Sequence, residues 1–201
     1  MTDVIDDIAT LEALYRTPGR ASLDKVATRL TPLYRRWIMA ARFAILSTVG
    51  PEGTDASPRG DDGPVVREQD ETTLLLPDWR GNNRLDSLRN IVRDPRVSLL
   101  FMVPGSNNVV RVNGRAHLSV ARDHLTIFSD GKRQPTCVAV IQIGEIYTQC
   151  ARALIRSDLW GDRPAPDVPS VGDILTEMTA GKLDGAAYDS EWPERAARTM
   201  W

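Results

Sequence analysis

The clearest period-two pattern in the chain runs over residues 109–120, and it constrains the fold more than any other feature. Val110, Val112, Gly114, Ala116 and Leu118 fall on one side, and Arg111, Asn113, Arg115 and His117 on the other. Successive side chains of a strand point to opposite faces, so this segment offers one face to a core and one to polar surroundings. The strands expected around it are joined by turns. Residues 43–49 form a continuous apolar strand, Gly50-Pro51-Glu52-Gly53 a turn, and residues 54–59 the return of a hairpin. After the turn Gly60-Asp61-Asp62-Gly63-Pro64 come two further strands, at 65–67 and 72–76. Residues 96–103 place Val97, Leu99, Phe101 and Val103 on one side, and residues 136–143 make a last apolar strand. Parallel neighbours need long crossovers, so short turns select an antiparallel sheet or barrel.

Helical spacing frames this core. Ile5, Ile8, Leu11 and Leu14 recur every three residues until Pro18-Gly19, and a second helix runs from Ser22 as N-cap to about residue 29. Thr31-Pro32 reads as an N-cap followed by proline at the first helical position, opening a helix with Leu33, Tyr34, Trp37, Ile38 and Ala41. One strong helix interrupts the strands. Its Leu85, Leu88, Ile91 and Val92 are expected to share a core-facing side, and Asp94-Pro95 stops it. Short helices are expected at 123–128 and 151–156. Beyond a proline-rich loop, 161–169, Ser170 caps a helix carrying Val171, Ile174, Leu175 and Met178, ended by Gly181. A last helix covers 190–200. The chain thus divides into N-terminal helices (1–42), a β domain (43–160) and a loop with C-terminal helices (161–201).

Composition excludes several functions. Lys and Arg number 25 against 27 Asp and Glu, a balance that argues against nucleic acid as the main partner. No apolar run approaches membrane-spanning length, and no basic start leads into an apolar stretch, so neither a membrane partner nor a secretory signal is expected. Two cysteines, Cys137 and Cys150, fit a reduced cytoplasmic protein. With only His117 and His124 beside them, no Cys/His zinc spacing exists, and no metal is expected. GxSxG, HExxH, GxxxxGK[ST] and GxGxxG are all missing from the sequence. No catalytic acid, base or nucleophile stands out. Asp61-Asp62 lie between glycines and read as solvated turn residues.

Four groups of residues could carry chemistry. Trp79-Arg80-Gly81-Asn82-Asn83-Arg84 leads into the strong helix. A helix N-terminus exposes unpaired N–H groups and a partial positive charge, and arginine forks match phosphate oxygens, so the segment suits an anion. From these residues alone a polar loop with an asparagine N-cap and solvated arginines is the more ordinary reading, and the segment is not specific unless another group converges on it. Ser57-Pro58-Arg59-Gly60 at a strand end suits a second ligand contact or an ordinary β-turn. Arg111 on the polar face of the long strand is either solvated or faces a partner subunit. Arg152 and Arg156, four apart on one helix face, and Trp160 just beyond them suit a phosphorylated aromatic ligand or a dimer interface.

The ordered set of motifs resembles the pyridoxamine 5′-phosphate oxidase-like proteins. It comprises Phe43-Ala44-Ile45-Leu46-Ser47-Thr48, Ser57-Pro58-Arg59-Gly60-Asp61, Leu74-Leu75-Leu76-Pro77 feeding Gly81-Asn82-Asn83-Arg84, Asp94-Pro95-Arg96-Val97 and Val112-Asn113-Gly114-Arg115-Ala116. The later Gln149-Cys150-Ala151-Arg152-Ala153 and Arg156-Ser157-Asp158-Leu159-Trp160 resemble a flavoprotein branch of that superfamily. The resemblance implies a mainly β, α+β fold, a six-stranded antiparallel split β-barrel of the FMN-binding type. It further implies a homodimer with FMN at the subunit interface and a small-molecule redox substrate. Asn83 and Arg84, with Arg80 and Asn82 beside them, would hold the FMN phosphate. Ser57, Pro58, Arg59 and Gly60 would run along the flavin. Arg111, Arg152, Arg156 and Trp160 would finish the neighbouring subunit's site. The chain's end carries Arg195 and Arg198 but no His, unlike the substrate-phosphate motif of pyridoxamine phosphate oxidases, which sets vitamin B6 oxidation behind other substrates. A deazaflavin-dependent reductase and a non-catalytic flavin-binding protein are the alternatives. Haem would need His117 or His124 as axial ligand and ranks below them.

Overall fold

Fifteen elements follow one another in a computed structural model that describes residues 4–162, 164 and 167–200. Three short helices come first: α1 (Ile8–Ala13), α2 (Arg20–Asp24) and α3 (Pro32–Ile38). The strands are β1 (Phe43–Gly50), β2 (Gly53–Gly60), β3 (Arg67–Asp70), β4 (Thr73–Asp78), β5 (Arg96–Met102), β6 (Val109–Ser119) and β7 (Cys137–Gln149). Between them lie α4 (Asp86–Arg93) and α5 (Arg122–Thr126), and after them α6 (Arg152–Ser157), α7 (Val171–Met178) and α8 (Gly185–Thr199).

The fold is mixed α+β around one antiparallel sheet in the order β2-β1-β5-β6-β7-β4-β3. The sheet has seven strands rather than the expected six, and it is not closed by hydrogen bonds: β2 and β3 remain its edges. Residues 61–66 connect these two edges, and their backbone bonds run to the segment after α3: Asp61 N donates to Arg42 O and Val65 N to Ala41 O. Val65 and Val66 are buried in the core but lie outside any strand, which starts only at Arg67.

The core sits inside the curl. Ala44, Leu46, Leu99, Phe101, Val110, Val112, Ile141 and Ile146 form its centre, and Ile38 from α3 plugs it from one side. The register explains the alternation: Leu46 faces Leu99, which faces Val112, which faces Ile146, all on one side of the sheet. A smaller cluster of Leu75, Phe128, Val138 and Val140 lies under α5.

Several local expectations change. The last strand does not end at Ile143 but continues to Gln149, with a register shift opposite Asn113 and Gly114. Only glycine fits at 114, because a Cβ there would lie 2.1 Å from the Gln142 carbonyl oxygen. Helix α2 begins at Arg20 with Gly19 at its N-cap, so Ser22 is inside it. Helix α8 begins at Gly185, capped by the Asp184 carboxylate, well before residue 190. The inward side of α4 is Ser87, Asn90 and Ile91, while Leu85 and Val92 are exposed. That helix covers a polar stretch of sheet, where Asn90 Nδ2 donates to Thr48 Oγ1 at 3.1 Å. Part of the 161–169 loop lies outside the described residues.

Candidate functional site

Strand β2 is one of the two edge strands, and its period-two alternation sorts the expected site residues onto opposite faces. Asp55, Ser57 and Arg59 pair with Thr48, Leu46 and Ala44 and so share their face, which α4 covers. Pro58 and Gly60 pair with Ile45 and Phe43 on the outer face. On the covered face the side chains are linked. Ser57 Oγ donates to Asp55 Oδ2 at 2.9 Å, Ser87 Oγ donates to the same oxygen, and Arg59 Nη2 donates to Ser87 Oγ at 3.2 Å. The Ser87 hydroxyl, ahead of Ser57 and the Arg59 charge, holds the Asp55 carboxyl below the ordinary aspartate range.

The loop entering α4 is conformationally unusual. Asn83 and Leu85 both sit in the left-handed region, at φ 59° and 63°. The expected asparagine cap is not formed. Leu85 is the N-cap residue and supplies no side-chain hydrogen bond, while Asn82 Oδ1 accepts from Arg84 N at 3.1 Å within the loop. The first-turn amides of α4 are therefore not capped by a side chain. Arg84 Nε donates to Asp86 Oδ2 at 2.7 Å. Arg59 and Arg84 thus reach the first two residues of α4, one from the sheet and one from the loop, and Arg80 is exposed on the same loop.

The neighbouring end of β4 completes this side. Burial raises the Asp78 carboxyl above the ordinary aspartate range, with the Arg59 charge opposing it. Trp79 Nε1 donates to Asp61 Oδ2 at 3.1 Å, so Asp61 is more than a solvated turn residue. Asp62 pairs with Arg133, which also pairs with Asp130. A cavity of about 210 Å³ lies here, lined by Asp61, Arg67, Trp79, Phe128 and Arg133 among others. Trp79 meets Phe128 edge to face at 6.4 Å, and the Arg67 guanidinium lies 5.7 Å from the Phe128 ring centre.

The remaining expected residues form a separate group. Arg111 projects from the outer face of β6 and donates to the Tyr147 hydroxyl at 3.2 Å. Trp160 Nε1 donates to Ser106 O at 2.8 Å, and Arg152 and Arg156 are exposed on α6. Among the described residues, no hydrogen bond or ion pair joins this group to Arg59 or to residues 80–84 of the same chain. Asp55, Asp78 and Ser87 were not expected at the site. The alternation Asp55, Ser57, Arg59 was the available signal for the first of them. Among the described residues no group of three His, Cys, Asp or Glu could hold a metal ion.

The profile of the family described as Pyridoxamine 5'-phosphate oxidase matches residues 30–150, more than half of the chain. No curated protein matches the sequence. Among solved structures, a variant of HupZ from Group A Streptococcus is similar at 16% identity and a TM-score of 0.50, over 59% of this chain and 98% of that one. General Stress Protein 26 from Bacillus anthracis str. Sterne is similar at 17% identity and a TM-score of 0.43, over 57% of this chain and 88% of that one. No helix among the described residues is long and apolar enough to cross a membrane. The matched span runs from Leu30, beside α3, through the whole sheet to Cys150, and the chain belongs to the pyridoxamine 5′-phosphate oxidase-like family.

Proposed function

We propose that the protein is an FMN-dependent oxidoreductase acting on a small molecule, with each FMN bound between two copies of the chain. The observation that carries this reading is that Arg59 and Arg84 bond to Ser87 and Asp86, the first two residues of α4, whose N-terminus has no side-chain cap. The donor set fits a phosphate monoester: free backbone N–H groups, a helix dipole and arginine forks. Arg84, Arg80 and the backbone of residues 82–84 would hold the phosphate, and the Ser57–Arg59 stretch would flank the rest of the cofactor. When bound, FMN supplies hydride and single-electron transfer. The chain's own part is to hold, orient and shield. Asp55 and the two serines fix Arg59 in place. Trp79 and Phe128 wall the adjoining cavity.

The outer sheet face supports the two-copy arrangement. Phe43, Ile45, Leu100 and Met102 lie together there, each partly exposed, beside Pro58 and Gly60. Leu100 pairs with Arg111, so Arg111 borders this apolar patch. A second copy seated on the patch would bring its own Arg111 toward this chain's β2, which accounts for the separation of the two residue groups within one chain.

The test is a visible absorption spectrum of the purified protein, the mass of the released chromophore, and light scattering. FMN at about one per chain in a dimer is the expected result. A colourless protein that fails to take up added FMN would overturn the reading. A deazaflavin identified by mass would keep the anion site and replace the cofactor. A holoprotein that no hydride donor reduces would make the chain a flavin-binding protein and not an enzyme.

A further inference from the structure

Arg84 is held at two points although little of it is packed. Its side chain is 74% exposed, and an exposed ion pair adds little to stability. Yet its backbone N donates to Asn82 Oδ1 at 3.1 Å, and its Nε donates to Asp86 Oδ2 at 2.7 Å. The residues on either side, Asn83 and Leu85, both take left-handed backbone. Leucine rarely adopts that region, because its Cβ crowds the backbone. Ordering an exposed arginine and straining the backbone beside it both cost free energy. Burial offsets neither cost, since Leu85 is itself 44% exposed. Strain of this kind persists where a side chain must be held for a ligand.

The donors of Arg84 show what it is held for. A guanidinium offers two forked edges, one made by Nε with an Nη and one made by the two Nη groups. Asp86 takes Nε. Among the described residues, Nη1 and Nη2 of Arg84 donate to no protein acceptor. The side of the guanidinium is thus anchored while its end stays open to a second anion. Asp86 is the first residue of α4, where the helix dipole favours an acidic side chain. Its carboxylate therefore ties Arg84 to the same turn whose amides have no side-chain cap.

Two roles of this carboxylate differ in sign. As a bare negative charge beside an anion it would oppose binding. As an anchor it would favour binding, because the arginine would be ordered before the ligand arrives. The open Nη edge supports the anchor, since a phosphate could bind there without displacing Asp86.

We infer that Asp86 is a positioning residue: its carboxylate anchors Arg84 through Nε, so that the Nη1–Nη2 edge is presented to a phosphate monoester at the start of α4. This role rests on the cofactor reading above and adds to it a residue that acts on the phosphate only through Arg84.

Titration of the full-length protein with FMN, followed by flavin fluorescence, tests the role. Asp86→Ala should weaken FMN binding about fivefold or more, although it removes a negative charge from the surroundings of an anion. In an Arg84→Ala background the same change should cause no weakening. Asp86→Asn keeps an acceptor for Nε and should recover most of the lost affinity. Equal or tighter binding by Asp86→Ala, in a protein whose affinity still falls with Arg84→Ala, would overturn the positioning role alone. An equal loss with and without Arg84 would also overturn it, because the effect would then be structural. Affinity unchanged by Arg84→Ala would remove both residues from the site. A parent protein that takes up no FMN would overturn the cofactor reading together with the role of Asp86.

Discussion

Arg84 illustrates how little of a site one residue determines. Its guanidinium already meets Asp86, and under the proposed function its role would come from standing at an uncapped helix start whose next residue, Ser87, Arg59 reaches. Under the proposed function, Arg84→Ala should weaken FMN binding about 10–100-fold, the usual loss for a charge-assisted contact to phosphate. A fluorescence titration checks this, and an unchanged Kd would remove Arg84 from the site. Asp78 carries a different expectation. Its folded-state pKa lies above the ordinary aspartate value of 3.8 because burial disfavours the carboxylate. A raised acid pKa means that stability falls as pH rises through the window above 3.8. Asp78→Asn should therefore melt at a higher temperature than the parent at pH 7, with the gap closing as pH falls toward 3.8. Equal melting temperatures at pH 7 would mean that Arg59 fully offsets the burial.

At the scale of elements, strand alternation and helix-start chemistry carried the reading. Thr31-Pro32 opens α3 as its residue types dictate, and the Thr31 hydroxyl accepts from Tyr34 N at 3.3 Å. Thr31→Ala should cost about 1 kcal/mol in urea unfolding. Helix α4 shows where the reading fails. Its apolar residues suggest one buried side, yet Ser87 and Asn90 face inward because the sheet beneath presents Asp55 and Thr48. A helix buries whatever its docking surface can satisfy, and here that surface comes from strand residues 32 and 42 positions away in sequence. The bulge opposite Gly114 was likewise invisible, since it depends on the extra residue that β7 places opposite β6. Gly114→Ala should destabilise the fold by about 1–3 kcal/mol, because the new methyl meets backbone that cannot yield. Stability within 0.5 kcal/mol of the parent, an ordinary surface effect, would show that the bulge relaxes.

The whole molecule is a curled sheet whose open seam is bridged by side chains. Trp79 reaches Asp61 across it, and Arg133 ties Asp62 to Asp130. Arg133 holds the Asp130 carboxyl at about 2, and it also lowers that of Asp62. Depressed carboxylate pKa values stabilise the fold above the unfolded value of about 4, and that stabilisation is lost as pH falls toward 2. Arg133→Ala should therefore flatten the acid limb of the stability curve between roughly pH 4 and 2, as read by denaturation at stepped pH. An unaltered acid limb would place the acid-sensitive groups elsewhere. The polar residues that bridge the edges also wall the cavity lined by Trp79 and Phe128.

The sequence by itself determined the antiparallel sheet, its core-facing residues and the family, because period-two alternation, turn residues and motif order are local properties. It placed Arg59 and Arg84 among the candidate residues on the same local grounds. Only the tertiary structure decided that these two meet at α4, that β2 and β3 stay unpaired, and that Arg111 and Trp160 stand apart from them in one chain. Those outcomes depend on which distant backbone groups take each hydrogen bond. At 61–66 the donors went to Ala41 and Arg42, and the sheet stayed open.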